Sequence, residues 1–445
     1  MNTLRTILSL SVVIMTAGLV WSYSQVKEDE RVRTAQAMID ALVKKDFTAA
    51  GKEFDETMRK ALPADKLEST WNAVQKQVGP FRKKLGSRME KVKKYDVVFV
   101  TCQFEKMALD VRLVFNSDKQ ITGLFFQPAK EAYDFKPPPY ARPDSFREIK
   151  VVVGAGEWVL PATLTVPREG GPFPAVVLVH GSGPHDRDET IGPNKPLRDL
   201  AWGLASQGVA VLRYEKRTHE HGSKLAESKQ PLTIKEEVID DAVAAIAALR
   251  KQPNIDGKRV FVLGHSLGAV AAPRIGEQEP AIAGLILLAG NTRPLEDVIL
   301  DQYSYIATLP DSGVDKEQLQ KIKKQVEKVK DRQLSKDTPA SELPLGVSAA
   351  YWLAIREYNQ VETASRLKLP ILILQGERDY QVTMDDFAGW KKAVDGHKDA
   401  TCKSYPHLNH LFMKGDGKAK PEEYNKAGHV DREVVEDIAR WIKKH

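Results

Sequence analysis

Cysteine is nearly absent: Cys102 and Cys402 are the only two in 445 residues. So distant a pair supplies no disulfide framework and none of the short spacings that bind zinc or carry thiol redox chemistry. Two free buried thiols are expected, with one bridge between domains as the alternative in an oxidising compartment. Charge of one sign is lacking too. The 66 Lys plus Arg stand against 60 Asp plus Glu, and a net +6 over this length is too dilute to indicate a nucleic-acid partner. Basic runs such as Lys321 to Lys330 contain matched acids and read as solvated helix faces. There is no internal repeat and no low-complexity tract.

One long apolar run does stand out. Arg5 precedes a stretch from Ile7 to Trp21 broken only by small residues and Ser or Thr, and Ser22-Tyr23-Ser24 resembles a small-x-small processing step. Residues 1–24 therefore read as a signal peptide. Thr6 to Ser24 is near the lower length limit of a membrane span, so a signal anchor that tethers the chain to the membrane is the alternative. Both readings place the body of the protein outside the cytoplasm.

Residues 31 to 91 read as helical, because Val32, Ala35, Met38, Ile39 and Leu42 recur at helical spacing and Leu67, Trp71, Val74 and Val78 repeat the pattern. The period then changes. Tyr95 to Phe104, Leu109 to Phe115 and Ile121 to Phe126 are short Val-, Ile- and Phe-rich runs, and Asn116-Ser117-Asp118 suits a hairpin between two of them. Helices followed by antiparallel strands predict a small α+β domain over residues 28–128. Pro137, Pro138, Pro139 and Pro143 predict a stiff linker over 129–146. From residue 147 to 445 strands and helices alternate. Buried-type strands at Ala175 to Val179, Val209 to Tyr214, Arg259 to Leu263, Gly284 to Ala289 and Pro370 to Leu374 imply a mostly parallel sheet covered on both faces.

Gly264-His265-Ser266-Leu267-Gly268 follows one of these strands and precedes a helix-compatible run. This is the context of a nucleophile elbow, a sharp strand-to-helix turn that holds a serine in a strained backbone conformation, with small residues on either side that let the chain close. His180-Gly181-Ser182-Gly183-Pro184 ends an earlier strand and fits a loop that donates a backbone N–H to an oxyanion. The donors expected are Leu267, at the start of the elbow helix, and Ser182, with Gly183 beside it. His180 precedes the nucleophile in the chain and reads as structural. The acid is expected at Asp379, after the strand and glycine of Pro370 to Gly376; Glu377 and the pair Asp385-Asp386 compete, the pair better suited to a helix N-terminus. The base is expected from the loop after the last strand, Thr401 to Tyr405. That leaves His407 and His410, with His429 as an outsider, and His410 is favoured by its apolar neighbours.

These motifs, with Arg187-Asp188-Glu189-Thr190, Ala272-Pro273-Arg274-Ile275 and Asp379-Tyr380-Gln381-Val382-Thr383, resemble the α/β-hydrolase superfamily, in particular bacterial serine esterases near the dienelactone hydrolases. The first domain looks like a small domain of unknown function that precedes some of these enzymes, on the phrases Lys45-Asp46-Phe47 and Ile121 to Phe126. The resemblance implies an α/β-hydrolase fold and acyl transfer by Ser266, Asp379 and His410 on a small-molecule acyl substrate. Dienelactone hydrolases carry a cysteine nucleophile, so their substrate does not transfer. No metal or organic cofactor is needed for this chemistry. Esters are the expected substrates; peptides or amides and thioesters are alternatives on the same triad, and an inactive binding protein on this fold is the alternative from another class. The insertion over residues 291–368 reads as a helical cap with an apolar stripe, Leu319, Ile322, Val326 and Val329. Its aromatics Tyr303, Tyr305, Tyr351, Trp352 and Tyr358 either line the acyl pocket or form the cap's own core.

Overall fold

The computed structural model describes residues 29–92, 95–129, 135–228, 231–310, 312 and 314–445, so the export stretch expected over residues 1–24 lies outside the described residues. The chain divides into two compact units, Met1–Ala132 and Tyr133–His445.

In the first unit, helices Glu30–Val43, Phe47–Ala50, Glu56–Ala61 and Ala64–Val78 precede an antiparallel sheet of β1 (Phe81–Val92), β2 (Tyr95–Phe104), β3 (Ala108–Phe115) and β4 (Ile121–Pro128), paired in that order. Asp29 caps the first helix by accepting the Arg31 N–H, and Val32, Ala35, Met38, Ile39 and Leu42 are buried along one stripe of it. Trp71 completes the core among Phe81, Phe104 and Phe126, with ring centroids 5.7 to 6.4 Å apart. In the turn from β3 to β4, Asn116 Oδ1 accepts the N–H groups of Asp118 and Gln120.

The helical reading of residues 31 to 91 fails at its end, where residues 81 to 92 form β1. Gly79, at φ 80°, and Pro80 stop the preceding helix. The strand lies at the sheet edge, is largely exposed and is rich in Lys and Arg. Charged edges of this kind are protected against further pairing and show no apolar alternation, which is why the strand left no mark in the sequence pattern.

The second unit is built on an eight-stranded sheet. In chain order its strands are β5 (Phe146–Val153), β6 (Leu160–Pro167), β7 (Phe173–Val179), β8 (Ala210–Tyr214), β9 (Ile255–His265), β10 (Gly284–Leu288), β11 (Ile371–Gly376) and β12 (Ala400–Tyr405), and in space they run β12-β11-β10-β9-β7-β8-β6-β5. β6 is antiparallel to both its neighbours, and all other pairs are parallel. Continuous apolar strands need cover on both faces, and alternation along β7 supplies it: Val177 and Val179 join the core beneath helices Asp240–Arg250 and Leu267–Gln278, while Val176 and Leu178 join that of helices Pro196–Ala205 and Arg432–Lys444.

The proline-rich stretch read as a linker is, from Phe135 on, packed against this unit. Tyr140 donates its hydroxyl to Val430 O at 2.7 Å, Arg142 N–H donates to Ser206 Oγ at 2.8 Å, and Phe146 is buried at the start of β5. Between β10 and β11, helices Leu295–Ile306, Lys316–Lys330, Ala349–Arg356 and Gln360–Arg366 form the inserted cap. Ile322, Val326 and Val329 are buried in its core with Ile299, Leu343 and Trp352, and Leu319 is half-buried. Both cysteines are free thiols, Cys102 buried on β2 and Cys402 half-buried on β12.

Candidate active site

β9 ends at His265 and helix Leu267–Gln278 starts two residues on, which leaves Ser266 alone in the turn at φ 52° and ψ −115°. A non-glycine residue in this left-handed region is held there by its surroundings. Here the tightness is visible: a Cβ on Gly264 would stand 2.1 Å from Gly268 O, and one on Gly268 would stand 2.3 Å from Val179 O. Ser266 N–H donates to Leu288 O at 2.9 Å, tying the turn to the end of β10. Further along the helix Pro273 disturbs the ladder, and the Tyr358 hydroxyl bridges the opened turn, accepting Arg274 N–H at 3.1 Å and donating to Val270 O at 2.9 Å.

The loop after β7 is clamped from two sides. Gly181 N–H donates to Glu189 Oε1 at 2.8 Å, and Gly181 O accepts the Lys216 ammonium at 2.7 Å. The following amide, Ser182 N–H, and the Leu267 N–H donate to no group among the described residues. Glu189 is itself buried in a left-handed conformation, φ 53°, and its Oε1 lies 3.0 Å from His265 Nδ1. His265 Nε2 lies 3.0 Å from His410 O. His265 has an acceptor at each ring nitrogen; burial opposes the charged ring, but the Glu189 carboxylate, the His410 carbonyl and Asp379 together more than offset burial and raise its pKa. Burial alone would raise the Glu189 pKa, and the neighbouring histidines bring it well below the usual carboxylate range. His180 packs edge-on against Tyr214, ring centroids 5.1 Å apart, and burial pushes its pKa down to about 3, so it is neutral.

Asp379 stands in the turn beyond β11. Its Oδ1 accepts the N–H groups of Gln381 (2.7 Å) and Val382 (3.1 Å), and its Oδ2 accepts Gln375 Nε2 (3.2 Å) and His410 Nδ1 (2.6 Å). Of the two histidines left by the loop argument, His410 is the buried one joined to Asp379, and His407 is exposed. The competing acids are engaged elsewhere. Glu377 is exposed and accepts Ser404 Oγ at 2.8 Å, whereas Asp386 completes a capping box with Thr383 and pairs with Arg293 at 2.9 Å; Asp385 sits beside it in the same first turn. His429 is bonded to Asp199 at 3.1 Å.

Ser266, Leu267, Ser182 and His410 line one cavity of about 320 Å³. The cap contributes Leu295, Val298, Ile299 and Gln302, and the rest of the wall includes Tyr380, Gln381 and Tyr424. An adjoining cavity of about 330 Å³ shares Leu267, Asn291 and Leu295 with it and is lined also by Glu296 and Tyr358. None of the five cap aromatics lines the cavity at Ser266. Trp352 is buried in the cap core, Tyr305 packs on Tyr380 with ring centroids 5.3 Å apart, and the Tyr351 hydroxyl is bonded to Glu237. The aromatic walls are instead Tyr380, within the Asp379 to Thr383 phrase that carries the family resemblance, and Tyr424, which lies in a stretch with no motif. Neither Glu189 nor Lys216 carries a sequence signal beyond the place of Glu189 in the Arg187 to Thr190 phrase.

Comparison with known proteins agrees with this architecture. Residues 35–124 match a family described as a protein of unknown function, DUF3887. Residues 171–416 match the family described as serine aminopeptidase, S33. The chain is 38% identical over 408 residues to the esterase EstD of Thermotoga maritima, covering 91% of this chain and 94% of that protein. Solved structures with similarity include Est1E from Butyrivibrio proteoclasticus, at 15% identity and a TM-score of 0.43 over 66% of this chain and 99% of that one. An esterase of Pyrococcus furiosus is similar at 18% identity and a TM-score of 0.42, over 71% of this chain and 99% of that one. With its strand–serine–helix turn, its buried His410–Asp379 pair and a family match over more than half its length, the chain belongs to the S33 serine aminopeptidase family of serine hydrolases.

Proposed function

We propose that this protein hydrolyses carboxylic esters through an acyl-enzyme formed on Ser266. The observation that carries the reading is the 2.6 Å bond from His410 Nδ1 to Asp379 Oδ2, made by a histidine that lines the same cavity as Ser266. His410 Nε2 takes the Ser266 proton as the serine oxygen attacks the substrate carbonyl, and Asp379 holds the tautomer and stabilises the imidazolium. The tetrahedral oxyanion is met by the N–H groups of Ser182 and Leu267. His410 then protonates the leaving alcohol, and a water, deprotonated by the same imidazole, releases the acid and restores Ser266.

Ester rather than peptide cleavage is supported by the relative named as an esterase, which aligns with nearly the whole chain. One observation favours aminopeptidase chemistry as a second reading. Glu296, 5% exposed, lines the adjoining cavity without a hydrogen-bond or ion-pair partner among the described residues, and an α-ammonium would neutralise it. The experiment is to compare p-nitrophenyl acetate with an aminoacyl p-nitroanilide, in the wild type and in Glu296→Gln. Ester turnover that greatly exceeds anilide turnover and is indifferent to Glu296→Gln supports the esterase. Dominant anilide turnover that collapses in Glu296→Gln supports the peptidase. The basic-then-apolar N-terminal stretch supports action outside the cytoplasm, and cell fractionation that recovers the protein in the cytosol would overturn that.

A further inference from the structure

The Gly181–Ser182 peptide has its two polar groups in different company. Its carbonyl oxygen, on Gly181, accepts Lys216 Nζ at 2.7 Å, and its N–H, on Ser182, is the amide assigned above to the oxyanion. In a planar trans peptide the two groups point in opposite directions, so whatever fixes the carbonyl also aims the N–H. An ammonium on the carbonyl oxygen further polarises the amide and strengthens its N–H as a donor.

Lys216 is 2% exposed, and its charge is met by Glu237 Oε1 at 2.7 Å. Glu237 lies in a π-helical turn, Lys235–Ile239, that leads into helix Asp240–Arg250; such widened turns are rare and concentrate at functional sites. The other oxygen of Glu237 accepts the Tyr351 hydroxyl at 2.6 Å, and Tyr351 belongs to cap helix Ala349–Arg356. A continuous series of bonds therefore runs from the cap through Tyr351, Glu237 and Lys216 to the Ser182 amide. Desolvating a Lys–Glu pair is expensive, and an apolar pair of similar volume often serves stability as well. This pair ends on a group whose donor strength matters most when an oxyanion forms.

We propose that Lys216 is a positioning residue for the oxyanion amide of Ser182, and that Tyr351, acting through Glu237, makes that positioning depend on the seating of the cap helix. The inference rests on the serine-hydrolase reading. Its test uses the full chain, steady-state hydrolysis of p-nitrophenyl acetate, and inhibition by an aryl trifluoromethyl ketone, which forms a tetrahedral oxyanion adduct on a serine. Lys216→Met should lower kcat about 100-fold, the scale of one lost oxyanion donor, with KM changed less than about threefold. Ketone affinity should fall in parallel with kcat/KM. Tyr351→Phe keeps the ion pair and removes one hydroxyl, and should lower kcat and ketone affinity together by about three- to tenfold. A purely structural role would reduce the amount of folded enzyme without that parallel. Unchanged kcat and ketone affinity in Lys216→Met, or a loss confined to KM, overturns the proposal. Should the lysine variant fail to fold, unchanged values in Tyr351→Phe overturn it. Failure of a fluorophosphonate to label Ser266 in the wild type overturns the underlying reading instead.

Discussion

His410 and His429 each bind a buried carboxylate through Nδ1, Asp379 at 2.6 Å and Asp199 at 3.1 Å, and both stand near the end of the same polypeptide. Around Asp379 the backbone of Gln381 and Val382 and the side chain of Gln375 fix the carboxylate, and the imidazole borders a cavity shared with a serine. Around Asp199 the same carboxylate that holds His429 also accepts Val430 N–H at 3.0 Å, and Phe135 packs edge-on against the His429 ring. One pair borders the cavity that Ser266 lines. The other ties the segment before the last helix to helix Pro196–Ala205. A histidine–carboxylate pair is a generic way to anchor a loop, and only what faces its second nitrogen makes it chemistry.

The largest effect should come from breaking the first pair. Ser266→Ala and His410→Ala should each reduce p-nitrophenyl acetate turnover by about 10⁴ to 10⁶ with the fold intact, and Asp379→Asn by about 10⁴, because the imidazole is left in the wrong tautomer. Retention of even a tenth of the rate in folded His410→Ala would make this pair, like that of His429, a loop anchor.

Truncation tests the second pair's surroundings. A chain beginning at Phe135 keeps the aromatic packing on His429 and the Tyr140–Val430 bond, and should hydrolyse the ester at close to the full rate. One beginning at Arg147 loses both, together with buried Phe146. It should be less stable by roughly 3 to 5 kcal/mol, from one buried aromatic and two or three lost contacts, read as a lower denaturant midpoint.

His180 sharpens the comparison as a buried histidine with no carboxylate bonded to it. Its pKa is pushed down to about 3 in the fold, against 6.5 as its ordinary value. Between those values the unfolded chain binds a proton that the native one does not, so stability rises with pH across the window and is lost as pH falls through it. One proton corresponds to about 1.4 kcal/mol per pH unit, and His180→Gln should flatten the stability profile between pH 6.5 and 3 by about that slope. An unchanged slope would show that His180 takes up its proton in the fold. Asp199→Asn should cost less, about 1 to 2 kcal/mol for a weakened tether, with turnover within about threefold.

What the sequence revealed divides along physical lines. Strands β7 to β11 of the catalytic sheet were legible because strands buried on both faces are continuous apolar runs, and Ser266 and Asp379 follow from such runs by position, whereas β5 and β6, at the antiparallel end of the sheet, were not read. β1 was not, because an exposed, charged edge strand has no apolar period. Lys216, Glu237 and Tyr351 were not either, since they come together from three separate segments, and Tyr424 reaches the cavity from a fourth; no local spacing announces them. The choice between His407 and His410 was legible only as a preference, because both lie in one loop and their three-residue separation is resolved by the turn they make.

That last choice gives the smallest expected effect. His407 is exposed, and the bond it makes is through its backbone: its carbonyl accepts Gly415 N–H at 3.0 Å, an interaction that any side chain preserves. His407→Ala therefore removes a solvated ring and nothing that holds the loop. Exposed substitutions away from caps, cores and networks usually change stability by less than about 0.5 kcal/mol. Turnover should stay within about twofold, since the Asp379 carboxylate is already saturated by Gln375, Gln381, Val382 and His410 and has no further bond to offer. Measuring kcat and the thermal midpoint of His407→Ala beside His410→Ala tests both sides at once. If His407→Ala abolishes turnover in a folded protein, the loop rearranges during the reaction, and the pair seen at 2.6 Å is a resting arrangement.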